Sequence, residues 1–207
     1  MPYWGRVNNA DDRITELVTT DPTGRYHPSM KWVKIPTYLE NWINTDGDYT
    51  VDTNDNVIPV SDAVFLKQIN ARIARRKYEE SIRGVEYNGL LWHTSESGRN
   101  NINNMLTLAK SISETLPSGE TFSTKWKTLS GWTTVTIADM EAVGTAAGQY
   151  VISCFSREKD IADAIETALT NTPGDYQNAI NVYYQEINKY GTDGWPGPEP
   201  VDEDDDF

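Results

Sequence analysis

Apolar positions recur at helical spacing from about residue 61 onward, whereas before it they fall in short runs between polar turns. Tyr3 to Val7 and Arg13 to Thr20 flank the cluster Asn8-Asn9-Ala10-Asp11-Asp12, which has the composition of a hairpin turn. Trp32-Val33-Lys34-Ile35 is another short strand, bounded by His27-Pro28 and Pro36. Tyr49 and Val51 then alternate with polar residues ahead of Val57 and Ile58, with Asp46-Gly47 and Asn54-Asp55-Asn56 as turns. The pattern predicts a small β-rich module over residues 1–60.

Ser61-Asp62 supplies a helix cap, and Leu66, Ile69 and Ile73 follow at spacings of three and four, predicting a connecting helix within 61–83. Arg83 to Trp92 reads as a hairpin because Asn88-Gly89 sits between β-formers. Ser95 opens a helix bearing Ile102, Met105, Ala109, Ile112 and Leu116 on one face, ended by Pro117-Ser118-Gly119. A second hairpin pairs Phe122–Leu129 with Thr133–Ile137 around Ser130-Gly131. Thr136 and Asp139, three apart, form a capping box for the longest helix. Its stripe runs through Met140, Val143, Ala147, Tyr150, Cys154, Ile161, Ile165 and Ala168. Pro173-Gly174-Asp175 starts a last helix with Tyr176, Ile180, Tyr183, Ile187 and Tyr190 on one face.

After Gly191 the periodicity stops. Gly194-Trp195-Pro196-Gly197-Pro198-Glu199-Pro200 reads as a stiff linker, and Asp202, Glu203, Asp204, Asp205 and Asp206 as an acidic tail closed by Phe207. The predicted class is α+β: a β-rich module (1–60), a connecting helix (61–83), and an α+β domain of two hairpins on three or four helices (84–191). The linker and tail (192–207) complete it, and their deletion is expected to leave the melting temperature nearly unchanged.

Charge sharpens this organisation. The net charge of −13 makes a phosphate-backbone binder a poor expectation, because such proteins cluster Lys and Arg. Residues 1–60 carry −4, residues 61–191 carry −2 and residues 192–207 carry −7, so the excess belongs largely to the last stretch. No apolar run approaches a membrane helix, and Met1-Pro2-Tyr3-Trp4-Gly5-Arg6 lacks the apolar core of a secretory signal. With Cys154 as its single cysteine, the chain is expected to be made in a reducing cytoplasm, with no nucleic-acid or membrane partner.

Searches for chemistry return little. His27 and His93 have no His or Cys at zinc-ligand spacing, and Cys154 lies on an apolar stripe. Asp52, Asn54 and Asn56 imitate the first ligands of a calcium loop, but Val57 replaces the required Gly and Ala63 the required Glu, so a plain turn is expected. Glu79 and Glu80, adjacent on a helix, cannot act as a catalytic pair and read as solvated. Gly144 and Gly148 suggest a close approach to the helix backbone by another element, such as one of the hairpins. The one basic cluster, Arg72, Arg75, Arg76 and Lys77, is a solvated helix face or a site for an acidic partner such as the tail of a neighbouring copy. No catalytic residue, metal ligand or cofactor is expected. The partner-binding candidates are Trp195, Asp202, Glu203, Asp204, Asp205, Asp206, Phe207, Arg72, Arg75 and Arg76.

Ile14 to Val33, with Tyr26-His27-Pro28-Ser29 and Trp32-Val33, resembles the amino-terminal motif of tail-fibre assembly and tail accessory proteins of tailed bacteriophages. Residues 67–185 resemble the domain of unknown function that follows it in many such proteins. That likeness rests on Arg75-Arg76-Lys77, Gly84 to Gly89, Ser95 to Arg99, Trp126, and Gly131-Trp132-Thr133-Thr134-Val135-Thr136. The resemblance implies a non-enzymatic virion component in the phage tail, made in the host cytoplasm. Such a protein would attach or decorate tail fibres or baseplate by protein–protein docking, and a homo-oligomer is among the expected partners. The family's other role, a fibre-assembly chaperone that leaves the virion, is the alternative. A wall- or glycan-degrading tail enzyme is a third reading, which the lack of an acid pair disfavours.

Overall fold

The computed structural model describes residues 3–198 and has the α+β architecture that the pattern predicts, with short antiparallel sheets and four α-helices among the described residues. The chain forms two compact units, each drawn from separate stretches. The first takes the chain up to Ile73 together with Ile161–Glu186; the second takes Ala74–Asp160 together with the chain from Ile187. The division differs from the linear one read from the sequence because two helices, α1 (Asp62–Ser81) and α3 (Ile137–Asn171), each supply both units. Periodicity locates a helix but does not reveal that its two halves are buried in different cores.

In the first unit, β1 (Trp4–Val7) is the centre of a sheet ordered β2-β1-β3, with β2 (Ile14–Val18) and β3 (Lys31–Lys34) antiparallel on either side. Gly5 leaves room for the core side chains at that centre. A Cβ there would lie 3.0 Å from Ile35 Cδ1 and 3.1 Å from the Ile14 side chain, both of which are fully buried. The hairpin of β4 (Tyr49–Val51) and β5 (Val57–Pro59) has the expected polar turn, in which Asp52 Oδ1 accepts from the Asn54 and Asn56 amides at 2.8 and 2.9 Å. Helix α1 buries Phe65, Ile69 and Ile73, so its stripe starts one residue before the predicted Leu66, which is only half-buried. Helix α4 (Tyr176–Ile187) contributes Tyr176, Ile180 and Tyr183. The Trp42 ring meets Tyr183 edge-on at 5.1 Å, and Phe65 lies 5.0 Å from Tyr176, whose hydroxyl donates to Asp62 Oδ1 at 2.7 Å.

In the second unit, β6 (Val85–Tyr87) and β7 (Leu90–Trp92) are joined by Asn88 and Gly89, both at positive φ, the turn that Asn-Gly favours. Helix α2 (Glu96–Ser113) is capped by Ser95, whose Oγ accepts from the Gly98 amide at 3.2 Å. Strands β8 (Ser123–Thr128) and β9 (Gly131–Thr136) form the second ribbon. Two bonds tie its turn to β7: Leu129 N to Leu91 O and Leu91 N to Ser130 Oγ, each 2.9 Å. The capping box of α3 is present, with Thr136 N donating to Asp139 Oδ2 at 2.9 Å and Asp139 N to Thr136 Oγ1 at 3.2 Å. One core joins the hairpins to the helices through Trp92, Ile102, Val135, Met140 and Val143, with Trp126 packed against it. Of the two α3 glycines, Gly144 faces helix α2, a Cβ there lying 3.6 Å from Ile102, and a Cβ at Gly148 would meet open space. The neighbour is therefore a helix rather than a hairpin, and only Gly144 has it.

The stretch after Gly191 is not a free linker as far as Pro198. Trp195 is 0% exposed, and its indole Nε1 donates to Ile187 O at 2.9 Å. Its backbone N donates to Lys189 O and its carbonyl accepts from Gly191 N, each at 2.9 Å. Arg83 Nη2 donates to Pro198 O at 3.2 Å. A Pro- and Gly-rich stretch has no periodicity to display, but a single tryptophan can anchor it by filling a core position.

Candidate docking site

The predicted basic cluster does not form a free cationic surface. Arg72 lies over the Trp42 ring, 4.0 Å from its centroid, and donates to the Asn41 carbonyl. Arg75 projects outward with an 83% exposed side chain and pairs with Glu79 at 3.0 Å, one turn along the same helix. Arg76 turns inward, pairing with Glu80 at 2.9 Å and donating to the Tyr190 hydroxyl.

Glu80 is the centre of that arrangement, and its burial corrects the solvated reading: it is 2% exposed. Arg83 Nη1 meets Glu80 Oε2 at 2.8 Å, and the Tyr190 hydroxyl donates to Oε1 at 2.9 Å. The Tyr150 hydroxyl donates to the Glu80 carbonyl at 3.2 Å. Adjacent residues on a helix point about 100° apart, so Glu79 faces water while Glu80 is sealed in with two guanidiniums. This cluster has the geometry of a structural clamp that ties Tyr190 to the end of α1.

Trp195, expected as an exposed anchor, is a core residue instead, and Asp202, Glu203, Asp204, Asp205, Asp206 and Phe207 lie outside the described residues. Cys154 is buried, and burial pushes its thiol up to about 11; burial likewise pushes the Tyr150 hydroxyl up to about 12. A protonated, enclosed thiol is a poor nucleophile. His27 is held in its loop by Ser29, with Nδ1 2.8 Å from Ser29 Oγ. Among the described residues no group of three or more His, Cys, Asp or Glu is placed to hold a metal ion.

What the first unit does present is an aromatic cleft of about 240 Å³ between the β1–β3 sheet and the loop that leads into β3. Trp4, Tyr26, His27, Pro28, Met30 and Trp32 line it, and the Tyr26 and Trp32 rings lie 4.8 Å apart. The loop's own hydrogen bonds hold it in shape: Thr23 N to Asp21 Oδ1 at 2.8 Å, Arg25 N to Pro22 O at 3.0 Å and Met30 N to His27 O at 3.0 Å. Tyr26 and Met30 remain 40% exposed on its rim. Rigid aromatic side chains already in place lose little entropy on binding, which suits a protein-docking surface. Tyr26, His27, Pro28 and Trp32 of the sequence motif are thus brought to one surface, while Val33 points into the core. Among the described residues of the second unit the most exposed aromatic is Trp132, at 71%, a residue not singled out by the sequence because strand alternation cannot tell a solvent face from a core face.

The model of one family, Domain of unknown function (DUF4376), matches residues 66–181, more than half of the chain. The chain belongs to this family. The matched DUF4376 region covers α1 from its second turn, both hairpins, α2, α3 and half of α4, and so takes in parts of both units. The aromatic cleft lies ahead of it. No curated protein and no solved structure matches the chain.

Proposed function

We propose that the protein is a non-enzymatic bacteriophage tail component that stays in the virion and attaches or decorates tail fibres or baseplate by docking to another tail protein. The observation that carries this reading is the pre-ordered aromatic cleft of the first unit, formed by Trp4, Tyr26 and Trp32. Tyr26, His27, Pro28 and Trp32 of the stretch that resembles the phage tail motif line it, and aromatic side chains in a shaped cleft are the usual anchors of protein interfaces.

The test is mass spectrometry of purified, CsCl-banded particles, with wild-type protein and a Tyr26→Ala variant compared at equal expression. The protein is expected in the particles, with the variant depleted. Absence from particles while the protein remains in the lysate would overturn the virion reading in favour of the assembly chaperone. Undiminished incorporation of Tyr26→Ala would remove the cleft as the docking surface.

A further inference from the structure

The ribbon of β8 and β9 turns Trp126 and Val135 into the core and presents Lys125, Lys127, Trp132 and Thr134 to water. Its register sets Lys127 directly opposite Trp132 and Lys125 opposite Thr134, whose Oγ1 accepts from Lys125 Nζ at 2.9 Å. Cross-strand partners share a face, so the indole and both ammonium groups form one patch. Leu129, also exposed, follows Lys127 at the turn. The outward positions of the two strands hold no carboxylate, and neither lysine enters an ion pair among the described residues. Asp139, the first acid after β9, is engaged by Thr136 in the cap of α3. On a chain of net charge −13, two cations beside a 71% exposed tryptophan make a surface of defined chemistry and of opposite sign to the whole.

We propose that this face docks an extended acidic segment of a partner protein, one that carries carboxylates at alternate positions and an apolar residue beyond them. Charge complementarity selects the acids. Spacing selects the extended form. Lys125 and Lys127 are two residues apart on one strand, about 7 Å, which is also the distance between side chains i and i+2 of an extended peptide. Two alternate carboxylates therefore meet both ammonium groups together, and the next side chain on the same face falls at the end of the patch where Trp132 and Leu129 stand. The spacing is fixed before binding, because the two strands are paired and Leu129 and Ser130 of their turn are bonded to Leu91. A cation beside an indole can also hold a single nucleic-acid strand. Two lysines neutralise few phosphates, however, and the charge of the chain opposes a long polyanion, whereas a segment with a few acids meets only the groups within about 8 Å at physiological salt. The face belongs to the second unit, so the proposal stands independently of the aromatic cleft of the first.

The experiment titrates the full chain, labelled with 5-fluorotryptophan, with the blocked peptide Gly-Asp-Ser-Asp-Ser-Phe-Gly and with its Asn-for-Asp counterpart. Trp132→Phe assigns the Trp132 fluorine signal. The acidic peptide is expected to shift that signal while the other six tryptophan signals stay in place, and to bind about fivefold more tightly than its neutral counterpart at low salt. The Lys125→Glu, Lys127→Glu pair should abolish that preference, with the six other signals showing that the fold is kept. About 1 M salt, where the screening length is about 3 Å, should abolish it as well. An unmoved Trp132 signal, or equal binding of the two peptides, would overturn the proposal. Tighter binding of a short oligothymidylate would overturn it in favour of a nucleic-acid strand. Without any peptide, a Trp132 signal that depends on protein concentration would overturn it in favour of a second copy, and one that moves when Asp202, Glu203, Asp204, Asp205 and Asp206 are changed to Asn or Gln would overturn it in favour of the chain's own acids.

Discussion

Replacing Trp195 by Ala should destabilise the second unit strongly, although the residue sits in a stretch whose composition suggests a linker. The side chain is 0% exposed and its indole N–H is bonded to the Ile187 carbonyl at 2.9 Å, so truncation removes both a large buried surface and a buried hydrogen bond. Burying so large a side chain carries about 3–5 kcal/mol in core truncations to alanine. In chains of 150–250 residues each kcal/mol moves the melting temperature by about 2–4 °C, which gives a drop of about 6–20 °C. Trp195→Phe keeps most of the apolar contact but leaves the Ile187 carbonyl without its donor, for a smaller cost of about 1–3 kcal/mol. Calorimetry reads the size, and hydrogen exchange reads the place: protection should fall in the first half of α3 and in 187–198, with β1 to β5 unaffected. Deletion of residues 192–207 should do at least as much damage as Trp195→Ala, which reverses the expectation from composition. A melting temperature within about 2 °C of wild type for Trp195→Ala would refute the reasoning, since it would mean that the indole fills no core.

Two further outcomes follow from buried groups in the second unit. Glu80→Ala leaves two guanidiniums facing a lost charge and should cost near the lower end of about 3–5 kcal/mol, because the arginines are themselves partly exposed. Arg75→Ala, whose pair with Glu79 is open to water, should change stability by less than about 0.5 kcal/mol; equal effects in chemical denaturation would refute the clamp. Cys154 and Tyr150 ordinarily titrate at 9.0 and 10.0, and burial raises them to about 11 and about 12. Their protons are held more tightly in the folded state, so the stability this contributes is complete below pH 9 and is lost as pH rises through 11 and 12. A thiol reagent at pH 8 should label the native chain far more slowly than the denatured one, and rapid native labelling would contradict the burial.

Elements with a local signature were legible in the chain itself. Asn88-Gly89 specifies its hairpin because both residues tolerate positive φ, and Thr136 with Asp139 marks the start of α3 because their side chains satisfy each other's backbone amides. The apolar residues of α3 and α4 were legible for the same reason, since their spacing follows from the helix repeat. The Tyr26-His27-Pro28 and Trp32 residues could be singled out as a motif, but not as the walls of a cleft, because the loop that folds Tyr26 onto Trp32 is held by contacts between residues of no regular spacing.

Tertiary structure decided how the charged and aromatic residues are used. Composition puts Arg72, Arg75 and Arg76 in one patch, yet the fold spends Arg72 on the Trp42 ring and Arg76 on Glu80, leaving only Arg75 in water. Glu79 and Glu80 are identical in kind to any reading of the sequence, and only packing tells which is solvated. Trp195, a partner-binding candidate from the sequence, is sealed, while Trp132, to which the sequence assigned no role, is exposed. Local sequence determined the helices, hairpins and caps because those depend on backbone dihedrals and near neighbours. Burial depends on which distant segment arrives to cover a side chain, and that is settled only when the whole chain has folded.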